Sequence, residues 1–430
     1  MYNILIFPAG SEIGMEIYNA LKYSKMLKVY GGTSVKDHAH FFYKNLITDL
    51  PYLTDANFID KLNSVVEENN IDFIYPAHDS AGLFLTQHAD ELKAKIVTSP
   101  LKTVDICRSK AKTYSYFSDC EFIPKTYKRI EDIASYPVFV KPSVGQGSNG
   151  AVKCNSEQQL LSRLAEGDEV VICEYLEGVE YTIDCFTDKD GILRIASLRD
   201  RARTKAGISV NSRIIPADDK IIQIAEEINS RLTFCGAWFF QMKRNANGEY
   251  RMLEISPRIP GTMGLSRNTG VNFPLLTIYT LLGLPVEILR HDYEIEVDRA
   301  FINRYKIQQE YSCVYLDLDD TLELKEKVNE WLMFYLYQCV NRGIDIYLLT
   351  RHARNIAQTL EKHKIPLSLF SEIIHITDDT AKSQYITRLD AIFIDDSFRE
   401  RLDVKQKCGI NVFDLDEIEA LIDWTQLGYN

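Results

Sequence analysis

Short apolar runs alternate with helical patterns at both ends of the chain, and this alternation restricts the possible folds more than any other feature. In the first hundred residues the predicted strands are 3–7, 28–32, 71–77 and 94–100. Strands that alternate with helices predict a parallel, doubly wound sheet. A second alternation of this kind begins near residue 311.

The middle of the chain has a different texture. From about residue 104 to 290 the segments are longer and carry one polar face, as in YPVFVKPS, EVVICEYLE, EYTIDCFTD, GAWFFQMKR and YRMLEISPR. Such segments predict half-buried strands, and an apolar helix is expected near 273–283. The predicted fold class is therefore α/β and α+β, with domains at 1–103, 104–295 and 311–430.

Gly10 and Gly14 lie in the first turn from strand to helix, where a dinucleotide-binding fingerprint would stand. The glycine pattern is incomplete, so it favours ordinary turn chemistry over phosphate binding. We expect the helix that follows to run from about Met15 to Leu27.

Charge and cysteine content argue against several classes of protein. The 430 residues carry a formal net charge of −12, which disfavours a nucleic-acid surface but not a nucleotide site. The nine cysteines are odd in number and show no C-x-x-C pair, so we expect a reducing compartment and neither disulfides nor zinc. The first residues lack the pattern of a signal peptide, and no apolar run reaches the roughly 18 residues that cross a bilayer. We therefore expect a cytoplasmic protein with no nucleic-acid partner and no membrane partner.

Asn247-Gly248 is the strongest local signal in the middle of the chain, because this dipeptide favours a two-residue hairpin turn. Such a turn sets Gln241 directly opposite Glu254, and Ser256 would share their face. The opposite face would carry the apolar residues Phe240, Met242, Leu253 and Ile255. An amide oxygen beside a carboxylate suits magnesium, which prefers oxygen ligands. The alternative is a solvated sheet face with an incidental polar pair.

Lys141 ends a predicted strand just before the glycine-rich segment GQGSNG at 145–150. A lysine at that place can reach nucleotide phosphates, and backbone N–H groups of the loop can cover them. The alternative is a loop without a ligand. Glu174 and Glu180 lie on either side of Gly178 and suit adenine-side amines and ribose hydroxyls, although solvated strand ends would look the same.

These segments together resemble the ATP-grasp ligases of the carbamoyl-phosphate-synthetase-like branch. The resemblance rests on SKAKTY, VKPSVGQGSNG, EYLEGVEYTID, Gln241 and LEISPRIPG in this order, and with the preceding α/β domain it covers about two-thirds of the chain. It implies ATP and magnesium as cofactors, with manganese as a substitute metal, and it makes Gln241 and Glu254 the metal ligands. The residues that it implies for the nucleotide are Lys110, Lys141, Gly145, Gly147, Ser148, Glu174 and Glu180.

One position departs from the family pattern, because Ser256 stands where relatives usually carry an asparagine. A hydroxyl can still bind a metal or a metal-bound water, so Ser256 is retained as a third ligand. Arg258 matches the family's arginine near the transferred phosphoryl group, where a guanidinium would contact developing charge. Arg201, Arg203 and Lys205 could extend this clamp, with Arg203 as a phosphate contact. An exposed charged loop is the alternative.

Three apolar strands in the last part of the chain each end at polar residues, namely Asp317, Thr350 and the pair Asp395–Asp396. In an open α/β sheet, ligands bind outside the carboxyl ends of the strands, so we expect these side chains to meet. Asp317 is suited to act as a carboxylate nucleophile, with Asp319 as its acid and base. Asp395 and Asp396 supply oxygen ligands for magnesium, and Thr350 can bind phosphoryl oxygens.

The complete motif D-x-D-x-T at 317–321 and the residues that follow resemble the haloacid-dehalogenase (HAD) superfamily. The predicted metal ligands are Asp317, Asp319, Asp395 and Asp396, and the predicted phosphate contacts are Thr350 and Lys382. Only about twenty residues separate the motif from the next strand, so no large cap fits there. A degenerate, structural domain of the same fold is the alternative.

The two resemblances together imply an ATP- and magnesium-dependent carboxylate–amine ligase that forms an acyl phosphate. The fused HAD domain would remove a phosphate from the product or from a related ester. Expected partners are a small-molecule carboxylate and an amine, which can itself be phosphorylated; the oligomeric state stays open, with a homodimer as one assembly. Asp79 is expected to cap a turn, or else to contact the acceptor. The rival interpretations are a HAD phosphatase with a regulatory ATP-binding region and a scaffold for a partner complex.

Overall fold

The computed structural model describes residues 1–145, 147–205 and 207–428. These residues form two compact units. The first comprises residues 1–301 with Leu427 and Gly428, and the second comprises residues 302–426. None of the described helices is both long enough and apolar enough to cross a membrane. The predicted division of the first unit near residue 103 stays a prediction.

The first unit begins with a five-stranded parallel sheet of order β3-β2-β1-β4-β5. Its elements are β1 (Tyr2–Phe7), α1 (Glu12–Leu21), β2 (Leu27–Gly32), β3 (Leu46–Ile47), α2 (Phe58–Asn69), β4 (Phe73–Pro76), α3 (Asp79–Gln87) and β5 (Lys95–Ile96). The central strand β1 is buried on both faces: Ile4 and Ile6 pack in the core with α1, whereas Leu5 and Phe7 pack in the core with α2 and α3. Burial on both faces explains why this strand is a continuous apolar run.

Helix α1 begins earlier and ends earlier than the sequence predicts. Ser11 is its N-cap, because the Ser11 hydroxyl accepts a hydrogen bond from Gly14 N at 2.9 Å. The predicted end at Leu27 is wrong since Leu27 already belongs to β2, where it pairs with Tyr2.

The glycine turn before α1 is filled by protein atoms. A Cβ on Gly10 would lie 2.0 Å from a carboxylate oxygen of Asp37. A Cβ on Gly14 would lie 2.6 Å from Ala9 O and 2.7 Å from Pro8 O. Both glycines therefore allow close packing, and an acidic side chain occupies the place where a phosphate would approach Gly10.

The next part of the first unit is a four-stranded antiparallel sheet of order β6-β9-β7-β8. Its elements are α4 (Leu101–Arg108), α5 (Lys110–Tyr116), β6 (Thr126–Tyr127), β7 (Val138–Pro142), β8 (Val152–Cys154), α6 (Glu157–Leu164) and β9 (Val170–Glu174). Strand β7 ends with Lys141 and Pro142, so the glycine-rich loop leaves the sheet directly from its central strands.

The remainder of the first unit contains a four-stranded antiparallel sheet, β11-β10-β14-β15, and a three-stranded sheet, β12-β13-β16. The elements are β10 (Glu180–Thr187), β11 (Leu193–Asp200), β12 (Arg203–Lys205), β13 (Ile208–Arg213), α7 (Asp219–Arg231), β14 (Gly236–Arg244), β15 (Tyr250–Ser256), α8 (Gly264–Asn268), α9 (Phe273–Leu281) and β16 (Glu296–Asp298). Helix α7 packs its isoleucines against the apolar face of this larger sheet, around Phe240 and Met242.

The turn between β14 and β15 differs from the predicted one. Asn245 N donates to Glu249 O at 2.9 Å, and in this turn only Gly248 has a positive φ, of 78°. The loop therefore has three residues, 246–248, whereas the two-residue turn would need a positive φ at Asn247 as well.

A β-bulge in the same hairpin offsets the longer turn. Met242 pairs with Met252 but Gln241 pairs with Glu254, which leaves Leu253 as the extra residue. The pairing of Gln241 with Glu254 thus agrees with the prediction. The predicted place of Leu253 on the apolar face is wrong, because the bulge puts Met252, which is fully buried, into the core instead.

The second unit is built on a five-stranded parallel sheet of order β21-β20-β17-β22-β23. Its elements are β17 (Cys313–Leu316), β18 (Glu323–Leu324), β19 (Lys327–Val328), α10 (Glu330–Arg342), β20 (Asp345–Thr350), α11 (Ile356–Lys362), β21 (Glu372–His375), β22 (Ala391–Ile394), α12 (Phe398–Cys408), β23 (Asn411–Phe413) and α13 (Ile418–Leu421). Only the small hairpin β18–β19 stands between β17 and α10, so no cap domain follows the first strand.

The close approach of α1 to the preceding turn predicts the effect of adding one methyl group. Gly14→Ala should lower the free energy of unfolding by about 1–3 kcal/mol, because the new Cβ meets backbone carbonyls that cannot rotate away. Chemical denaturation followed by circular dichroism measures this difference, with Glu68→Ala on the exposed side of α2 as the control. Equal stability of the two variants would contradict the packing described for Gly14.

Candidate functional site

A narrow cavity of about 150 Å³ lies between the β7–β9 sheet and the β14–β15 hairpin. Lys141, near the end of β7, forms part of the cavity wall, and it is only 6% exposed. The Lys141 ammonium donates to Tyr114 Oη at 2.5 Å and to Leu253 O at 3.1 Å. Burial lowers the pKa of Lys141, and the nearby Lys110 charge acts in the same direction. A buried ammonium held by neutral oxygens is suited to bind an anionic group that enters the cavity.

The bulge at Leu253 explains how Lys141 is held. The carbonyl of this extra residue accepts hydrogen bonds from Lys141 and from the Tyr114 hydroxyl, the latter at 2.9 Å. Tyr114 is not among the predicted site residues, although it lies four residues after Lys110 in the segment SKAKTY.

The glycine-rich loop forms one side of the cavity. Gly145, Gly147 and Ser148 all line it, and Gly147 and Ser148 have positive φ angles of 60° and 56°. Gln146 of the predicted loop lies outside the described residues. Lys110, at the start of α5, approaches Gly145 O at 3.4 Å and Glu254 Oε2 at 3.6 Å. The structure therefore brings Lys110, the loop and Glu254 together.

The turn between β12 and β13 approaches this loop closely. A Cβ on Gly207 would lie 2.5 Å from the carbonyl carbon of Gly147. Arg201 donates to Gly207 O at 2.7 Å, and its Nε lies 2.9 Å from Glu180 Oε1. Glu180 thus lies at the cavity with an arginine beside it. Ala206 of the predicted basic stretch is outside the described residues.

Two further predicted residues, Glu174 and Arg203, lie in different places relative to this cavity. Glu174 lines the cavity, but its carboxylate accepts from Lys125 N at 2.9 Å and so is anchored at the edge. Arg203 is placed elsewhere: it is exposed and forms an ion pair with Asp298 on β16. The prediction of Arg203 as a phosphate contact is therefore not met in this conformation, because strand pairing between β13 and β16 draws it to that edge.

Gln241 and Glu254 face each other across β14 and β15, and both line the narrow cavity. Within the described residues the Gln241 amide makes no hydrogen bond, so its oxygen is open to a ligand. An amide oxygen and a carboxylate at the rim of this cavity fit the preference of magnesium for hard oxygen ligands.

Ser256 and Arg258 both bind Asp79. The Ser256 hydroxyl donates to Asp79 Oδ1 at 2.8 Å, and Arg258 donates to both carboxylate oxygens at 2.7 and 2.6 Å. Burial opposes ionisation of Asp79, but the Arg258 charge and these hydrogen bonds outweigh burial and hold the pKa of Asp79 well below its usual range. Ser256 therefore bonds to Asp79 rather than to Gln241 or Glu254. The cap of α3 is His78, whose ring accepts from Ser80 N, so the predicted capping role of Asp79 is wrong.

A second cavity of about 470 Å³ adjoins the first. The two share wall residues at Lys110, Gly145, Gln241 and Glu254. Its other polar residues include Ser11, Glu12, Asp79, Arg108, Arg199, Arg201, Ser256, Arg258 and Arg299. The first unit thus holds a narrow compartment and a wide one that meet at the Gln241–Glu254 pair.

The second unit carries a separate polar group at the carboxyl ends of β17 and β22. Lys382 Nζ lies 3.0 Å from Asp317 Oδ1 and 2.6 Å from Asp395 Oδ2. Carboxylate oxygens of Asp317, Asp395 and Asp396 all lie within 4.8 Å of one another, which suits a shared cation. Burial raises the pKa of Asp317, and burial raises the pKa of Asp395 to about 6. Thr350 is fully buried beside them at the end of β20.

Asp319 differs from its predicted place in this group. Its carboxylate lies 2.7 Å from the ring Nδ1 of His352, and it clusters with Glu323 and His352 rather than with Asp317 and Asp395. The prediction of Asp319 as a metal ligand alongside Asp317 is therefore not met. His352 is 2% exposed and its other ring nitrogen lies 2.7 Å from Thr359 Oγ1. His352 is not among the predicted site residues, although it follows Thr350 by two residues.

Comparison with known proteins bears on the first unit. Residues 166–301 match a family model described as ATP-grasp in the biosynthetic pathway with Ter operon. The chain contains an ATP-grasp domain. It is 24% identical over 258 residues to the carbamoyl phosphate synthase large chain of Caldanaerobacter subterraneus subsp. tengcongensis, covering 55% of this chain and 24% of that protein. It is 30% identical over 159 residues to the arginine-specific large chain of Geobacillus stearothermophilus, covering 34% and 15%. The chain thus spans about a quarter of these relatives or less.

Solved structures share the ATP-grasp fold. The biotin carboxylase domain of Hydrogenobacter thermophilus 2-oxoglutarate carboxylase, in complex with MgADP, ADP and bicarbonate, has a TM-score of 0.56 at 13% identity, covering 68% of this chain and 73% of that one. N5-carboxyaminoimidazole synthetase from Staphylococcus aureus, complexed with ADP, has a TM-score of 0.56 at 17% identity, covering 67% and 79%. L-amino acid ligase from Bacillus licheniformis has a TM-score of 0.53 at 19% identity, covering 65% and 74%. These identities support the fold alone.

The ion pair between Asp79 and Arg258 gives a stability prediction. Asp79→Asn should lower the free energy of unfolding by about 2–4 kcal/mol at neutral pH, because it leaves a largely buried guanidinium without its counter-charge. The pKa of Asp79 is lowered in the folded state, so its contribution is present above the ordinary aspartate pKa of about 4 and is lost as the pH falls further.

Urea unfolding at pH 7 and at lower pH measures this effect, with Asp132→Asn as the control because its ion pair with Arg129 is exposed. A loss for Asp79→Asn no larger than that of the control would contradict the account of this ion pair.

Proposed function

We propose that the ATP-grasp domain is an ADP-forming ligase that activates a carboxylate as an acyl phosphate and transfers the acyl group to an amine. The observation that carries this proposal is the meeting of two cavities at Lys110, Gly145, Gln241 and Glu254. The narrow cavity offers lysines and a glycine-rich loop, which suit a nucleotide. The wide cavity offers arginines and an apolar wall, which suit an organic acid.

In this proposal the nucleotide occupies the narrow cavity. Lys141 and Lys110 hold its phosphates, and Gly145, Gly147 and Ser148 cover them. Glu180 meets the ribose and Glu174 borders the adenine side. The expectation of ATP and magnesium is confirmed for the ATP-grasp domain as a class, and the 2-oxoglutarate carboxylase domain is in complex with MgADP.

Gln241 and Glu254 would hold the magnesium at the junction of the two cavities. A metal held there would supply positive charge against the phosphate oxygens during transfer of the terminal phosphoryl group to the carboxylate. One carboxylate oxygen forms the new bond to phosphorus, and the bond from phosphorus to the ADP oxygen breaks. The amine then attacks the acyl carbon, loses a proton and expels inorganic phosphate. The side chains mainly position the reactants and balance their charge.

In this proposal Arg258 lies beside the transferred phosphoryl group, and its ion pair with Asp79 sets the orientation of the guanidinium. The bidentate ion pair fixes the guanidinium on the wide-cavity side and, among the described residues, leaves Nη1 bonded only to Ile259 O, at 2.9 Å. The hydroxyl of Ser256 is bound to the same carboxylate, so the proposal assigns the metal to Gln241 and Glu254 and gives Ser256 a supporting position.

ADP formation that depends on an added carboxylate tests the ligase proposal. The assay uses bicarbonate and organic acids of increasing size, with ammonia and primary amines as acceptors. Glu254→Gln should lower the rate on the order of 100-fold, because a metal ligand and its charge are lost. Glu249→Gln in the exposed turn is the matched control. Nucleotide binding without ADP formation for any acid would favour the rival interpretation, a regulatory ATP-binding region.

The second unit supports a separate proposal, a phosphatase of the HAD type. The specific observation is the group formed by Asp317, Asp395, Asp396 and Lys382 at the carboxyl edge of a parallel sheet. Asp317 would attack the phosphorus of a phosphomonoester, and Asp319 would give the departing oxygen a proton. Water would then release phosphate from Asp317. The absence of a cap between β17 and α10 leaves this edge open to a bulky ester.

The two activities can be separated by counting products. If the phosphatase unit removes a phosphate from the ligase product or its precursor, the wild-type protein releases more phosphate than ADP. Asp317→Asn should bring the ratio of phosphate to ADP down to one and leave ADP formation unchanged. A ratio of one in the wild type would contradict a phosphatase that acts on the ligase's own substrates.

A further inference from the structure

We propose that Arg108 binds the carboxylate of the acid substrate in the wide cavity, and that this acid is an organic monocarboxylate without an ammonium group close to it. The inference rests on the proposed ligase function and assigns the substrate class of the same site. Arg108 ends α4 and was not singled out by the sequence motifs.

The charges around the wide cavity are nearly balanced. Its basic side chains are Arg108, Lys110, Arg199, Arg201, Arg258 and Arg299. Five of these have a carboxylate partner within 4 Å: Lys110 with Glu254, Arg199 with Asp184, Arg201 with Glu180, Arg258 with Asp79 and Arg299 with Glu12. Among the described residues Arg108 pairs with no carboxylate. The surplus is therefore one positive charge, and it belongs to Arg108.

The hydrogen bonds of Arg108 leave donors for a ligand. Its Nη2 donates to Ser80 Oγ at 3.1 Å, and its Nη1 makes a long contact of 3.5 Å with Gly145 O. Both hydrogen-bond partners are neutral, and Asp79, whose charge Arg108 senses, is already held in the ion pair with Arg258. A guanidinium with free donors is well suited to two parallel hydrogen bonds with a carboxylate.

Arg199 supplies a second donor in the same cavity. It is only 2% exposed, and its buried Nη1 makes no hydrogen bond within the described part of the chain. A buried guanidinium nitrogen without a partner is costly, and an anion in the cavity would satisfy it. Two arginines in one wall therefore each keep a donor that a carboxylate can fill, Arg199 through its Nη1 and Arg108 through its weakly bonded Nη1.

The position of Arg108 assigns it to the acid rather than to the nucleotide. Arg108 lines the wide cavity and not the narrow one, whereas Lys110 lines both. The two side chains approach the same carbonyl, Gly145 O, at 3.5 and 3.4 Å. A carboxylate on Arg108 would thus lie in the wide cavity close to Gly145, one of the residues at which the two cavities meet.

The rest of the wall sets the class of acid. Apolar side chains from several elements, among them Val97, Val104 and Phe239, line the cavity, and a volume of about 470 Å³ exceeds what bicarbonate fills. The acids in the wall, Glu12, Asp79 and Glu254, are each paired with a cation already described. No carboxylate among the described lining residues is left for an ammonium group, so a free amino acid would bring an uncompensated charge.

The test measures the rate of ADP formation by the 430-residue protein. The concentrations of the acid and of ATP are varied separately, which gives a KM for each. The acids are bicarbonate, simple monocarboxylates of increasing size, and amino acids in free and N-acetylated form. The variants are Arg108→Gln, Arg108→Lys and the control Arg129→Gln, which removes an exposed arginine of the same domain. Titration with a non-hydrolysable ATP analogue reports on nucleotide binding and folding for every variant.

We expect Arg108→Gln to raise the KM for the acid about 30- to 100-fold and to leave the KM for ATP within twofold. Arg108→Lys should keep part of the affinity, because a point charge remains but the two parallel bonds are lost. N-acetylated amino acids should be better substrates than free ones.

Each other outcome overturns a defined part of the inference. An unchanged KM for the acid in Arg108→Gln, with an active wild type, overturns the role of Arg108 and leaves the ligase proposal intact. A raised KM for ATP alone assigns Arg108 to the nucleotide instead. Activity with bicarbonate only, or preference for free amino acids, overturns the substrate class. Analogue binding by the wild type without ADP formation from any acid overturns the ligase proposal itself, and the inference with it.

Discussion

The register of the β14–β15 hairpin is the constraint on which the candidate ligase site depends. A three-residue turn and a bulge at Leu253 act together to set Gln241 opposite Glu254 while Met242 and Met252 stay in the core. The same bulge frees the Leu253 carbonyl to hold Lys141. A shift of the β14–β15 register by one residue would point a residue of the Gln241–Glu254 pair into the core. It would also move the Leu253 carbonyl away from Lys141. The packing of the core therefore fixes the geometry of the site.

The ion pair between Asp79 and Arg258 links the β14–β15 hairpin to the N-terminal parallel sheet. Asp79 begins α3, which follows β4 of that sheet, and Arg258 follows β15 by two residues. A largely buried pair with two parallel hydrogen bonds fixes the direction in which the guanidinium points, although replacing such a pair by apolar residues need not cost stability. The wide cavity therefore takes its wall from both parts of the first unit. Among the described residues, Arg108 is the one arginine or lysine of that wall without a carboxylate within ion-pair distance.

The strands and the polar residues at their ends could be predicted from the sequence, whereas most of the tertiary contacts that position the site residues could not. Buried strands such as β1 and β17 are continuous apolar runs, and the polar residues at their ends follow from the geometry of parallel sheets. The pairing of Gln241 with Glu254 was predicted from a two-residue turn that does not exist; the bulge cancelled the error, and a bulge leaves no clear local signal. Partners far apart in sequence, such as Ser256 with Asp79 and Asp319 with His352, could not be predicted because they depend on tertiary packing. Arg203 was misplaced for the same reason, since β13 pairs with both β12 and β16 and so brings Arg203 within reach of Asp298.

The transfer of oxygen from the acid to phosphate tests the central claim most directly. An acid labelled with ¹⁸O in its carboxylate is incubated with ATP, magnesium and an amine, and the released phosphate is examined by mass spectrometry. The Asp317→Asn variant is used so that phosphate from the second unit does not dilute the label. An acyl phosphate formed at the Gln241–Glu254 junction predicts one ¹⁸O atom in each phosphate released with ADP. Phosphate without label, at a rate equal to ADP formation, would contradict activation of the carboxylate by this domain.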